Sequence, residues 1–111
     1  MKIVVVFRGI EASDALREHV VLRAQRELQR FSDEVSSVVV RVQDINGPKG
    51  GIDKRCHVTV RGRAMAPVVI EAMSADPYSA AESGLERAAR AVRREIARAR
   101  GRRDDGFGRA S

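Results

Sequence analysis

The N-terminal part of the chain shows two hydrophobic periodicities in succession. Lys2–Arg8 alternates loosely around Ile3, Val5 and Phe7, with β-branched residues between them, which predicts a β-strand that ends at Gly9. From Ser13 onward apolar residues recur at helical spacing, and Ser13 is a favourable N-cap residue. The helical stripe consists of Leu16, Val20, Ala24, Leu28 and Phe31. This stripe predicts an amphipathic helix of about five turns.

Three segments with a period of two follow the predicted helix. They are residues 35–45, residues 55–61 and Val68–Ser74, and each predicts a strand with one apolar face. Residues 46–51 are rich in glycine and predict the turn of a hairpin between the first two of these strands. Residues 63–67 form a second connection, so that the three strands make a meander.

The last periodic segment predicts a second helix. Asp76 and Pro77 supply an N-cap followed by proline at the first helical position. The apolar stripe consists of Ala81, Leu85, Ala88, Val92, Ile96 and Ala99. A helix of about 24 residues would measure about 36 Å. Residues 101–111 contain glycine and charge without apolar periodicity, so we expect a domain over residues 1–100 and a flexible basic tail over 101–111.

The predicted order of elements is β-α-β-β-β-α, an α+β fold with a four-stranded sheet. Each helix has one apolar stripe, so the economical packing places both helices on one face of the sheet. The opposite face carries Arg41, Thr59 and Arg61 and would meet solvent or a partner.

Composition limits the size of the protein and the chemistry of its partners. A chain of 111 residues is long enough for one hydrophobic core. Its formal charge of +6 and its pI near 10.6 make polyanions the natural partners.

The cysteine count and the N-terminal sequence predict a cytoplasmic, soluble protein. Cys56 is the only cysteine, which excludes an intrachain disulfide and a zinc site made of thiolates, and it lies in the inward series of its strand. The N-terminus lacks the features of a signal peptide, and no apolar run approaches the roughly 20 residues that cross a bilayer.

Arginines follow one side of each predicted helix. The second helix carries Arg87, Arg90, Arg94 and Arg98, and the first carries Arg17, Arg23, Arg26 and Arg30. Further arginines extend the charge at the end of the second helix, namely Arg93, Arg100, Arg102 and Arg103. If the helices lie side by side, the two rows border one groove that suits a phosphate backbone, because a guanidinium pairs with two phosphate oxygens at once. The alternative is a solvated helix face in an arginine-rich proteome.

Other candidate sites carry less chemistry. His19 and His57 are separated from each other and from paired carboxylates, which favours neither a metal site nor a nucleophilic triad. The glycine-rich turn lacks the Gly-Lys-Ser/Thr ending of a phosphate-binding loop. We nevertheless expect contacts with RNA from Lys49 in the turn and from Lys54 and Arg55, which follow it. We therefore expect a protein that is not an enzyme, with no metal, cofactor or small-molecule substrate.

Together, the order of elements and several strings resemble the ribosome hibernation factors, the family of hibernation promoting factor and ribosome-associated inhibitor A, also called sigma-54 modulation proteins. The resemblance covers about residues 2–100. The strings are Ile10-Glu11-Ala12-Ser13 with Leu16-Arg17-Glu18-His19-Val20, Val38-Val39-Val40-Arg41-Val42, and Asp76-Pro77-Tyr78-Ser79-Ala80-Ala81. Two departures are Ala81, where the family usually has isoleucine, and Gly84, which costs a helix about 1 kcal/mol relative to alanine.

The resemblance implies a fold like that of double-stranded RNA-binding domains and a short form without the ribosome-pairing domain. It also implies binding to the small ribosomal subunit and its rRNA in the decoding channel, where the protein would exclude messenger and transfer RNA. The family's basic positions fall on Arg23, Arg26 and Arg30 and on Arg87, Arg90 and Arg94. Two alternatives stay open, a regulatory module that binds a protein partner and a general double-stranded RNA-binding domain. The oligomeric state is not predicted.

Overall fold

The computed structural model describes residues 1–46 and 52–110, with side chains as far as Gly101. The predicted order of elements is confirmed, with one additional 3-10 turn at Gln29–Phe31. The elements are β1 (Lys2–Arg8), α1 (Asp14–Leu28), β2 (Val35–Asp44), β3 (Lys54–Gly62), β4 (Val68–Ser74) and α2 (Pro77–Ala110).

The four strands form a single sheet in the order β1-β2-β3-β4. β1 pairs with β2 in parallel through the crossover that α1 makes, and the other pairs are antiparallel. Alternate residues therefore share a face, and one of these faces is the core. The central core positions are Val38, Val40 and Val42 on β2 and Cys56, Val58 and Val60 on β3, all with no exposed surface.

The predicted start of α1 is confirmed. The Ser13 hydroxyl accepts a hydrogen bond from the Leu16 amide at 3.0 Å and so satisfies one of the free donors of the first turn. The predicted stripe is buried as far as Leu28. Phe31, which we predicted to lie in the same helix, lies in the 3-10 turn instead, because α1 ends in the tighter turn that leads into β2.

The predicted start of α2 is also confirmed, because the Asp76 carboxylate accepts a hydrogen bond from the Ser79 amide at 3.2 Å. All six residues of the predicted stripe are buried. Gly84 faces β3, and a β-carbon at this position would lie 2.9 Å from the sulfur of Cys56. The glycine thus lets the helix backbone approach the sheet closely.

α2 is longer than predicted. It spans 34 residues and continues through Gly101 to Ala110, where we expected an irregular tail. The prediction of the end was wrong because propagation of an existing helix gains one hydrogen bond per residue, whereas a glycine costs only about 1 kcal/mol. The domain boundary at residue 100 remains a prediction.

Both helices pack on one face of the sheet, as predicted, and they run side by side in the same direction. Contacts between them join residues that are 63 positions apart in the sequence, His19 with Glu82 and Arg23 with Glu86. The predicted turn lies largely at positions 47–51, outside the described residues, although the pairing of Asp44 with Lys54 before and after it agrees with a hairpin. Among the described residues no helix is long and apolar enough to cross a membrane.

Candidate nucleic-acid interface

Acidic side chains occupy the first half of the line along which α1 and α2 meet. We call this line the seam. His19 Nε2 lies 2.9 Å from Glu82 Oε1, and the Arg23 guanidinium contacts both Glu86 and, at 3.3 Å, Glu27. The sequence predicted that the two arginine rows border an open groove. At this level they do not, because Arg23 spans the seam and is neutralised there.

Tyr78 also lies at this end of the seam. Its ring is partly buried against the core and meets the ring of His19 edge to face, with 5.0 Å between the centroids. His19 therefore joins the two helix starts through a ring contact and a carboxylate contact.

The four arginines predicted on α2 lie along one exposed side of the helix, but two of them make contacts within the protein. Arg87 turns towards the sheet edge and donates a hydrogen bond to the carbonyl oxygen of Glu71 in β4 at 2.7 Å. Arg98 lies 3.1 Å from Glu95 on the same helix. Arg90 and Arg94 lie on the outer ridge between these positions and are exposed. Neither of them forms an ion pair or a hydrogen bond with another described residue.

The second half of the seam is basic and open. Arg30 stacks over Phe31 with its guanidinium carbon 4.9 Å from the ring centroid, and it lines one depression together with Arg93. Arg93 in turn lines a second depression with the two ridge arginines. The sequence had marked Arg93 only as an extension of the charge. Its spacing of seven from Glu86, which places both on one side of the helix, was the signal that it faces α1.

These arginines form one continuous basic surface, which we call the arginine surface. Arg26 precedes Arg30 by one helical turn, and like Arg90 and Arg94 it is exposed. The arginine surface consists of Arg26, Arg30, Arg90, Arg93 and Arg94. The carboxylate of Glu34 lines the same depression as Arg30 and Arg93, and it pairs with Arg100 at 3.0 Å at the far end of the seam.

The two predicted site residues of β3 lie apart from the arginine surface. Lys54 Nζ lies 2.7 Å from Asp53 and 3.4 Å from Asp44, and the hydrogen bond to Asp53 raises the pKa of the lysine above its usual value. Arg55 is on the sheet face that the helices leave open, 3.8 Å from Glu71. The structure therefore does not bring these two residues together with the helix arginines.

The chemistry available at these positions is electrostatic. The described residues contain no group of three or more side chains arranged to hold a metal ion. Cys56 is buried, and desolvation raises the pKa of its thiol to about 12, which keeps it protonated at neutral pH. Exposed guanidinium groups on a rigid scaffold are suited to binding phosphates.

The chain is similar to proteins that share this architecture. A ribosomal subunit interface protein from Coxiella burnetii is 21% identical and superposes with a TM-score of 0.72 over 87% of this chain and 99% of that one. The N-terminal domain of Protein Y from Thermus thermophilus is 24% identical, with a TM-score of 0.68 over 85% of this chain and 98% of that domain. These likenesses establish the fold. No curated protein matches the chain.

The family assignment rests on the sequence itself. Residues 3–100 match the family described as sigma 54 modulation protein / S30EA ribosomal protein. The matched region includes all of β1 except Lys2, the other three strands, α1 and the part of α2 that packs on the sheet. It also confirms the resemblance drawn from the three strings, and the chain therefore belongs to the sigma-54 modulation protein / S30EA ribosomal protein family.

Proposed function

We propose that the protein is a ribosome-associated translation inhibitor that binds the small ribosomal subunit in its decoding channel. The observation that carries the proposal is the arginine surface, five neighbouring cations on two packed helices with no carboxylate paired to them among the described residues. Membership of a family named after a ribosomal protein, and a fold shared with a ribosomal subunit interface protein, support the ribosome as the partner.

The physical basis of binding is the release of counterions from rRNA. Each phosphate that an arginine neutralises frees condensed cations, so affinity falls steeply with added salt. A surface fixed by a packed core gives up little conformational entropy on binding, which favours structured RNA over flexible RNA. We expect affinity for the shape and backbone of rRNA more than for particular bases.

The nine site residues predicted from the sequence divide into four groups in this proposal. Arg26, Arg30, Arg90 and Arg94 contact phosphates directly, together with Arg93. Arg23 and Arg87 hold the helices in place through Glu86 and through the Glu71 carbonyl, and Arg98 lies at the margin next to Glu95. Lys54 and Arg55 are not part of this contact, because Lys54 is held by two carboxylates and Arg55 lies on the opposite face.

The mechanism is steric occlusion and includes no covalent step. The folded chain measures 62 × 23 × 16 Å and would exclude an RNA strand from the volume that it fills in the channel. Occupation of the decoding channel would exclude messenger and transfer RNA by volume alone. Inhibition would then be fully reversible and would end when the protein dissociates.

Co-sedimentation with purified small subunits across a salt series tests the proposal. Relative to the parent chain, Arg90→Ala/Arg94→Ala is expected to lower affinity at least tenfold near 150 mM salt and to reduce the log–log salt slope by about 1.5 to 2. Arg63→Ala is the matched control, because Arg63 is exposed in the turn between β3 and β4 and lies beside Glu34 at the far end of the seam, outside the arginine surface. Equal losses in the control and the double variant, or no binding at low salt, would overturn the proposal.

Competition experiments separate occlusion from simple attachment. Pre-bound protein is expected to block the binding of a labelled messenger RNA and of transfer RNA to the same subunits. Simultaneous binding of all three would exclude the decoding channel. Binding to an arbitrary RNA duplex as tight as binding to the subunit would favour a general double-stranded RNA-binding domain. Salt-insensitive binding to a protein partner would favour a regulatory module.

A further inference from the structure

The sheet face that no helix covers is strongly basic. We call it the open face. Its cationic side chains are Lys2, Arg8, Arg41, Arg55 and Arg61. Among the described residues, the only carboxylate on this face is that of Glu71, which lies 3.8 Å from Arg55. The open face therefore carries a net positive charge that its own acidic residue does not neutralise.

A strip of uncharged side chains crosses the middle of the open face. The strand register aligns Val4, Val39, Thr59 and Val69 in one row across all four strands. Val69, at the β4 edge, is 58% exposed. The members of the strip are small side chains with branched β-carbons, and they stand on neighbouring strands.

The cations lie on either side of this strip. On one side, Lys2 and Arg61 are both paired with Ser37 in the row that precedes the strip. On the other side, Arg41 lies in the row that follows it, and Arg8 and Arg55 lie one row further. Positions four residues apart along a strand are separated by about 13 Å and positions six apart by about 20 Å, so the two lines of positive charge are about 13 to 20 Å apart.

This arrangement disfavours a second copy of the chain as the occupant. Two open faces related by a twofold axis would bring cations against cations, and the strip alone is too narrow to provide a stable apolar interface. A polyanion with two parallel lines of negative charge fits both the sign and the spacing of the charges. An RNA helix has this form, since its wide and shallow minor groove runs between two phosphate backbones.

We propose that the open face is a second RNA-binding surface, which lies across the minor groove of an RNA helix. Lys2 and Arg61 contact one backbone, and Arg41 with its neighbours contacts the other. The strip of small side chains lies over the sugars, where the Thr59 hydroxyl is placed to exchange hydrogen bonds with 2′-hydroxyls. The protein then holds RNA on two opposite sides, through the open face and through the arginine surface.

Titration of the whole chain with a 16-base-pair RNA duplex tests this surface. Arg41→Ala/Arg61→Ala is expected to lower affinity about tenfold and to reduce the salt slope by about 1.5 to 2, in proportion to two lost phosphate contacts. The control Arg63→Ala is expected to change affinity less than twofold. If the double variant behaves like this control, the open face does not bind RNA.

A substitution within the uncharged strip tests the position of the RNA without removing a cation. Val69→Glu is expected to weaken duplex binding at least fivefold, because it places a carboxylate between the two phosphate lines. Ile52→Glu introduces the same charge at a site that is 69% exposed and lies before β3, off the open face. Equal effects of the two changes would overturn the proposal, as would a dimer in sedimentation equilibrium that Val69→Glu dissociates.

Running both sets of variants on duplex RNA and on small subunits keeps the two proposals distinguishable. One outcome is that Arg90→Ala/Arg94→Ala loses binding to small subunits, while Arg41→Ala/Arg61→Ala binds duplex RNA and small subunits as the parent chain does. This outcome would support the proposed function and refute RNA binding by the open face. The reverse pattern would refute the arginine surface and leave the open face as the RNA site. We expect each double variant to lose affinity, and we expect the two losses to add when the substitutions are combined.

Discussion

The two sides of α2 follow different physical rules. The side that faces the sheet contains Gly84, Leu85 and Ala88, and all three are buried. The space above β3 therefore limits the size of the side chains on this side. The outer side contains Arg90 and Arg94, which contact no other described polar group. Packing determines residue size on the inner side, whereas on the outer side only charge and reach matter.

Arginines on one helix can have unrelated roles. Arg87 and Arg90 are three residues apart, yet Arg87 donates to a strand carbonyl and Arg90 points to solvent. The carbonyl contact occupies an acceptor on an edge strand, which is a position prone to pairing with other chains. Loss of a paired arginine should therefore affect folding, and loss of an unpaired one should affect binding.

The largest expected effect is on the inner side. Leu85→Ala is expected to lower the free energy of unfolding by about 3 kcal/mol, because it opens a cavity beneath a fully buried side chain. Denaturant titration measures the loss, and Arg94→Ala, on the outer side of the same helix, should change stability by less than about 0.5 kcal/mol. A loss below about 1 kcal/mol for Leu85→Ala would contradict the view that packing fixes this side.

Gly84 and Gly101 allow the packed and the unpacked parts of α2 to be compared, with smaller expected changes in stability. Helix propensity alone predicts that Gly→Ala stabilises by up to about 1 kcal/mol. Gly101→Ala should follow this rule, since no atom lies within 4 Å of its added β-carbon. Gly84→Ala should instead destabilise by about 1 kcal/mol, because its β-carbon would lie 2.9 Å from the Cys56 sulfur and 3.3 Å from a Val58 methyl.

Thermal and denaturant unfolding of the two alanine variants would decide this point, with helix content from circular dichroism as a second measure. Stabilisation by both substitutions would show that the contact between α2 and β3 relaxes easily. The close approach of backbone to sheet would then not be the reason for Gly84.

The smallest expected effect separates paired from unpaired arginines. Arg23→Ala removes contacts with Glu27 and Glu86 and is expected to lower stability by about 0.5 to 1 kcal/mol. Arg90→Ala is expected to leave stability unchanged and to weaken binding to the small subunit several-fold. Both variants are measured by urea denaturation and by co-sedimentation, and equal stabilities would mean that the seam ion pairs contribute nothing.

Much of the candidate site could be predicted from the sequence, but its grouping could not. The periodicity of arginines located Arg26, Arg30, Arg90 and Arg94 on exposed helix faces. It could not show that Glu86 neutralises Arg23 across the seam, because that contact joins residues 63 positions apart. Lys54 and Arg55 were predicted as RNA contacts from their position after the glycine-rich turn, and the sheet keeps them apart from the helix arginines.

The sequence by itself determined the elements, their order and their buried faces. Hydrophobic periods of two and of about 3.6, together with the caps at Ser13 and Asp76, are local properties that a chain carries before it folds. Tertiary structure decided which arginines are free, where Arg93 points and why Gly84 lies inside a helix. Each of these depends on the neighbour that packing supplies, and a periodic pattern contains no information about that neighbour.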